Sequence, residues 1–269
     1  MPNQHGAWAM LSTPAVAGVL VALLRQDATT LPRLVVTLAL ILGAWFSGYF
    51  CFFAFGQWVK ARNPHRKHEY AVPMAVTGAM SLACIVIVVL LAPCLLWFAP
   101  LFAPLVLIAV AETLRHRPRS LLSGVSTTCA SALLLPALYL VGEVARSDAT
   151  RSLAGIPASQ WAATAFLAAY FTGTIPFVKT MVRERGKSGY LVGSVAYHAV
   201  VVVAVLFLGA GRIVPVASWW LMIVVAVWAL GRATTFPLTL HRWAWTPKQI
   251  GVAEVPLCIL AGLAVLFAG

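Results

Sequence analysis

Gly56-Gln-Trp-Val-Lys60-Ala-Arg62-Asn-Pro-His65-Arg66-Lys67-His68-Glu69 lies between two long apolar runs. It packs four cations into eight residues, Lys60, Arg62, Arg66 and Lys67, with His65 and His68 beside them. The chain around it has 269 residues, is 61% hydrophobic and only 10% charged, with a mean hydropathy of +0.91. A soluble domain carries roughly 25% charged residues, so this composition belongs to a surface that faces lipid. In such a chain a knot of cations marks where two spans return to a polar surface. It is also the first place to look for a bound anion.

Working outward from the knot, a spanning helix needs about 20 mostly apolar residues to cross the hydrocarbon with its backbone hydrogen-bonded internally. Nine stretches qualify: Ala7–Leu24, Leu34–Val59, Tyr70–Leu91, Cys94–Ala111, Leu121–Val141, Gln160–Val178, Tyr190–Leu208, Val214–Leu230 and Gln249–Phe267. The predicted fold is an all-α polytopic membrane bundle of about nine transmembrane helices, with residues 1–269 forming a single integral membrane domain. Prolines such as Pro14, Pro73, Pro136, Pro176 and Pro256 in or near these spans predict kinks.

Orientation follows from the cations. The connections after every even-numbered span hold Lys60, Arg62, Arg66 and Lys67; Arg115, Arg117 and Arg119; Lys179, Arg183, Arg185 and Lys187; and Arg232, Arg242 and Lys248. That is 14 of the 19 Lys and Arg. The opposite side holds Arg25, Arg33, Arg146, Arg151 and Arg212. Positive charge stays in the cytoplasm, so the reading is a multi-pass protein of a bacterial cell inner membrane, N-terminus cytoplasmic and C-terminus extracytoplasmic. His5, His65, His68, His116 and His241 fall on the same inner side. The net charge of +12 is thus topological and points to no nucleic-acid partner. MPNQHGAW has no Lys or Arg ahead of its apolar run, which predicts a retained N-terminus. The five cysteines, Cys51, Cys84, Cys94, Cys129 and Cys258, are scattered through apolar sequence without a C-x-x-C pair, as small hydrophobes are.

A weak internal echo is present. Tyr49-Phe50 returns as Tyr170-Phe171, Arg62 as Arg183 and Arg66 as Lys187, each at the same separation. It predicts a two-part repeat, about 1–142 and 158–269.

The candidate site residues each carry two readings. Lys60, Arg62, Arg66, Lys179, Arg183 and Lys187 either complement helix C-termini and snorkel to the interface, or converge to clamp a phosphate or carboxylate. Glu254, inside the last span, is a functional candidate because an intramembrane acid is costly; the alternative is a structural ion pair, and Arg232 is the partner expected for it. Glu112 beside Arg115 reads as a cap on its own cluster. His5 either caps the first helix or hangs into a cavity as a proton donor. His198, beside Tyr197 and near mid-membrane, is either a buried hydrogen bond or part of a polar path. His65, His68 and Glu69 spell H-x-x-H-E, but with no helix expected there and no further ligand elsewhere, no metal site is assigned. No cofactor is implied.

The opening Gln4-His5-Gly6-Ala7-Trp8-Ala9-Met10-Leu11, with a multi-span chain behind it, resembles the YwiC-like family of bacterial membrane proteins, which supplies no activity to carry over. More distantly, nine spans, Asn63-Pro64-His65-Arg66-Lys67 after the second and Gly186-Lys187-Ser188 after the sixth are similar to the UbiA prenyltransferase superfamily. That resemblance implies a UbiA-like arrangement of helices around a cavity open to the cytoplasm. It also implies aspartates holding Mg²⁺ and an isoprenyl diphosphate on those two helices, and here the pattern departs. Gly56 and Lys60 stand before the first motif and Thr180, Met181 and Val182 before the second. Without those carboxylates a Mg²⁺–diphosphate site of that design cannot form.

The expectation is an integral membrane protein that binds, and processes if it has chemistry, an amphiphilic anion such as a phosphorylated isoprenoid or lipid. Lys60, Arg62, Arg66, Lys179, Arg183 and Lys187 are its ligand-binding residues, and His5 or Glu254 its proton-transfer group. Membrane lipids are its other expected partners; no protein partner is indicated. The alternative is a transporter of a small solute. The echo joins spans four apart, a parallel repeat, whereas transporters often use inverted ones.

Overall fold

The computed structural model describes residues 5–24, 26–146, 152–239 and 245–268. All regular structure among them is helical: α1 (His5–Leu23), α2 (Leu31–Lys60), α3 (Pro64–Leu91), α4 (Ala99–Leu114), α5 (Leu121–Ala132), α6 (Leu134–Arg146), α7 (Ala158–Val182), α8 (Ser188–Ala210), α9 (Val216–Leu238) and α10 (Pro247–Leu266). Eight spans are long and apolar enough to cross a membrane, and α1 is a shorter apolar helix. The protein is membrane-embedded. Its outward surface is itself apolar, with Val76, Leu82, Leu90, Leu107, Val200 and Phe207 all more than half exposed.

The spans differ from the sequence reading at three places, each with a local cause. The third begins at Pro64, so Ala61–Asn63 is the whole connection after α2 and the histidines of the knot ride on the first turns of α3. Asn63 is extended, as a residue before proline prefers to be, and its side chain accepts from the His65 N–H at 2.9 Å. The fourth span opens with a 3₁₀ turn, Pro93–Phe98, before α4. The fifth is two helices, broken at Leu133, because Pro136 has no N–H to offer the Ala132 carbonyl.

Two interiors organise the bundle. One is built from α1, α2, α3, α4 and α6, the other from α7, α8, α9 and α10 with contributions from α1, α5 and α6. Between helices in lipid there is little hydrophobic driving force, so close backbone approach and interhelical hydrogen bonds hold them together. On the α2–α3 interface Gly43 faces Cys84, Gly48 faces Ser81 and Gly78 faces Cys51, while Ser81 donates to the Ala44 carbonyl at 2.9 Å. On the α1–α6 interface Gly142 lies against the Ala22 backbone, and Gln26 donates to the Gly142 carbonyl at 2.9 Å. α6 is buried from Leu134 through Glu143. α10 packs on α1, Thr13 meeting Gly262.

One end of the bundle gathers the cations. Gly56 of α2 faces Thr113 of α4, Gly124 of α5 faces Ile175 of α7, and Phe177 of α7 packs on Phe236 of α9 with ring centroids 6.0 Å apart. The ends of α2, α4, α7 and α9 therefore lie at one level, and with them the basic connections.

Candidate functional site

The six basic candidates share that end but not one cavity. Lys60, Arg62 and Arg66 are exposed around the α2–α3 turn; Lys179, near the end of α7, is half-buried, and Arg183 and Lys187 are exposed beyond it. α2 packs on α3, α6, α1 and α4, whereas α7 packs on α8, α5, α10, α9 and α6, so the two helices share only α6 as a neighbour. Lys67 lies over the Trp58 ring at 5.0 Å, a cation–π contact. The H-x-x-H-E stretch is helical after all, contrary to the sequence reading. His65 Nδ1 stands 3.3 Å from Glu69 on the exposed flank of α3, and no three His, Cys, Asp or Glu side chains gather into a metal-binding group among the described residues.

Lys187 belongs to a groove of about 850 Å³ between α5, α7 and α8. Leu121, Val125 and Pro176 give it an apolar wall; Lys187, Ser188 and Tyr190 stand at its polar end. Its floor is polar and tied together: Thr128 and Thr172 share a hydrogen bond of 2.9 Å across α5 and α7, and the Tyr197 hydroxyl donates to the Ala169 carbonyl at 3.0 Å. Glu184 accepts from Lys187 Nζ at 2.7 Å, and that hydrogen bond holds the ammonium above the ordinary lysine range. The other five basic candidates do not line this groove.

The second polar centre is buried between α7, α9 and α10. Arg232 and Glu254 form an ion pair, the partnership the sequence reading expects. Arg232 is 3% exposed, and Glu254 sits about two turns into α10. The Tyr170 hydroxyl donates to the other Glu254 oxygen at 3.3 Å and lies 3.5 Å from Cys258 Sγ. Phe177 closes the other side, its ring 4.5 Å from the guanidinium carbon, with Phe236 and Trp245 stacked just beyond. Burying two charges is costly, and pairing, a tyrosine donor and aromatic faces offset part of that cost. Glu254 and Cys258 also line a mostly apolar groove of about 670 Å³ between α1 and α10, with Lys248 and Trp8 at one end of it. Chemically this is a carboxylate at the edge of an apolar groove, paired with its own guanidinium.

The remaining candidates fall as follows. Glu112 is buried and pairs with Arg115 at 3.4 Å. His198 is buried against Gly173, its Nδ1 2.7 Å from the Ser194 carbonyl and its Nε2 without a partner among the described residues. His5 opens α1, but its side chain lies outside the described residues, as does His241. Sequence reasoning passed over Tyr170 and Cys258 as partners of Glu254, and Gly189, Gly193 and Ser194 in the α8 groove. The signal was there: Gly189 and Gly193 lie one turn apart, with Ser194 next to the second.

The sequence profile of the family described as YwiC-like protein matches residues 1–139, more than half of the chain. No curated protein and no solved structure matches the chain. The chain belongs to the YwiC-like family.

Proposed function

We propose that this YwiC-like membrane protein binds an amphiphilic anion, a phosphorylated isoprenoid or lipid, from the cytoplasmic side and without Mg²⁺-binding aspartates. The observation that carries the reading is the groove between α5, α7 and α8, apolar along its wall and basic at Lys187. A tail packs on Leu121, Val125 and Pro176 while the head meets Lys187 as a point charge. Lys179 and Arg183 add to the positive field at the same end, and Lys60, Arg62 and Arg66 extend it toward α2. The excess of Lys and Arg at this end is what supports its cytoplasmic placement. In this reading Glu254, poised between Arg232 and Tyr170, and His5 at the start of α1 are the groups available for proton transfer.

The test is isoprenyl-diphosphate binding to detergent-purified protein, first with Mg²⁺ and then with EDTA. The expected result is binding that survives EDTA and weakens at least about tenfold in Lys187→Ala, the loss of a charge-assisted contact. Binding that requires Mg²⁺, or that ignores Lys187→Ala, overturns the proposal.

A second reading, a transporter of a small solute, rests on a different observation: the Arg232–Glu254 pair lies within the membrane on helices interrupted by Pro176, Pro237 and Pro256. Saturable flux into proteoliposomes that is abolished by Glu254→Gln favours it over the binding reading.

A further inference from the structure

α8 begins without a cap. Lys187 occupies the N-cap position, and its side chain makes no capping hydrogen bond. The first backbone bonds across this start come from the Tyr190 and Leu191 N–H groups to the Lys187 carbonyl, at 3.2 and 3.3 Å. The amides of Ser188 and Gly189 have no backbone acceptor among the described residues. Free amides and the positive end of the helix dipole together favour an anion there.

An uncapped start is common, and two further features distinguish this one. The first is an orphaned side chain: Ser194 is 1% exposed, lines the same groove, and its Oγ has no partner among the described residues. A serine in a helix ordinarily satisfies itself on a carbonyl of the preceding turn, as Thr180 and Thr164 do in α7. A buried hydroxyl left alone costs free energy, which a ligand can recover. The second is bare backbone. Gly189 and Gly193, one turn apart, both line the groove, and a Cβ on either would meet nothing within 4 Å. The chain leaves this side of α8 without side chains, so something large can lie directly on the helix.

These positions set the shape of the occupant. Ser188 and Ser194 are separated by about 9 Å along the helix axis. A ligand that uses both needs an anion at the top, a neutral hydrogen-bonding group below it, and apolar chains beyond. An isoprenyl phosphate offers nothing but hydrocarbon at the depth of Ser194.

We propose that the Gly189/Gly193 face of α8 holds a phosphate-headed glycerolipid. Its phosphate rests on the Ser188 and Gly189 amides beside Lys187, and an ester carbonyl or hydroxyl of its glycerol backbone meets Ser194 Oγ. This rests on the anion-binding reading above and narrows it to one lipid class.

The test uses the full chain in detergent, titrated separately with short-chain phosphatidate, farnesyl phosphate and inorganic phosphate. Phosphatidate is expected to bind tightest, and inorganic phosphate weakest for lack of a tail. Ser194→Ala lowers phosphatidate affinity about fivefold, one neutral hydrogen bond, and leaves farnesyl phosphate unchanged. Gly193→Leu fills the cradle and lowers phosphatidate affinity at least tenfold. Because the space above Gly193 is open, Gly193→Leu keeps the thermal unfolding of the parent, Ser194→Ala keeps or raises it by removing an unpaired hydroxyl, and Gly193→Ala gives an intermediate loss of affinity. Farnesyl phosphate binding together with phosphatidate binding indifferent to both replacements overturns this inference alone. Equal losses for the two amphiphiles in Ser194→Ala overturn it as well. If neither amphiphile binds, the anion-binding reading itself falls.

Discussion

The turn from α2 to α3 and the turn from α7 to α8 carry the same echo and are built oppositely. At the first, Asn63 caps α3, the connection is three residues, and the two helices close on each other through Gly43, Gly48 and Gly78. At the second, Lys187 leaves α8 uncapped, Gly186 takes a left-handed φ of 80°, and Gly189 and Gly193 of α8 face open space. The aromatic pair follows the same division. Tyr49 and Phe50 pack edge-on against Trp8 at 5.9 and 6.0 Å, whereas Tyr170 turns its hydroxyl to Glu254. Glycine spent on helix contact gives a sealed hairpin; glycine spent facing outward gives a groove. The sealed turn lies against Trp8, and the open one belongs to the helix, α7, that carries Tyr170 to the Arg232–Glu254 pair.

The comparison breaks first at the buried pair. Glu254→Gln leaves Arg232 charged and unpaired in the interior, and a loss of about 3–5 kcal/mol is expected in detergent unfolding. The matching change in the other half, Glu69→Gln beside exposed His65, is expected to stay within about 0.5 kcal/mol. Equal effects from the two would mean that Arg232 finds another partner. Next come the glycines. Gly48→Leu drives a side chain into Ser81 and is expected to cost about 1–3 kcal/mol, while Gly189→Leu leaves stability unchanged. A third experiment sharpens the contrast in capping: Asn63→Ala loses about 1 kcal/mol, and Lys187→Ser gains a comparable amount by supplying the missing cap. Both are read from the same unfolding transition without ligand. The smallest effect concerns Glu184. It raises Lys187 above its unfolded pKa, so its stabilising contribution is complete below that value, about 10.4, and is lost as pH rises through the folded one. Glu184→Gln therefore removes this small contribution at neutrality as well, and flattens the alkaline limb of the stability curve, where the parent loses it.

Much of this was legible in the sequence. Span number is written in runs of about 20 apolar residues, and the pairing of Arg232 with Glu254 could be read because charges in such runs have few alternatives. The start of α3 was misplaced because His65 to Glu69 look like a loop by composition, whereas Asn63-Pro64 is a helix-start signal that overrides it. The division of the six basic residues was not legible, since which helix ends share a cavity depends on packing order. Nor was the α8 groove, which is defined by side chains that Gly189 and Gly193 do not have. The family match covers residues 1–139 and so takes in the sealed turn but neither Lys187 nor Glu254.

The order of Arg232 and Glu254 along the chain has a consequence for synthesis. The guanidinium leaves the ribosome before its carboxylate, and at about 5–20 residues per second the wait is roughly one to four seconds. During that interval α9 alone would present the insertion machinery with a charge unsuited to lipid. The two helices are therefore expected to enter the bilayer together as a hairpin. A chain that ends before Pro247 is expected to leave α9 less stably inserted than the full chain does.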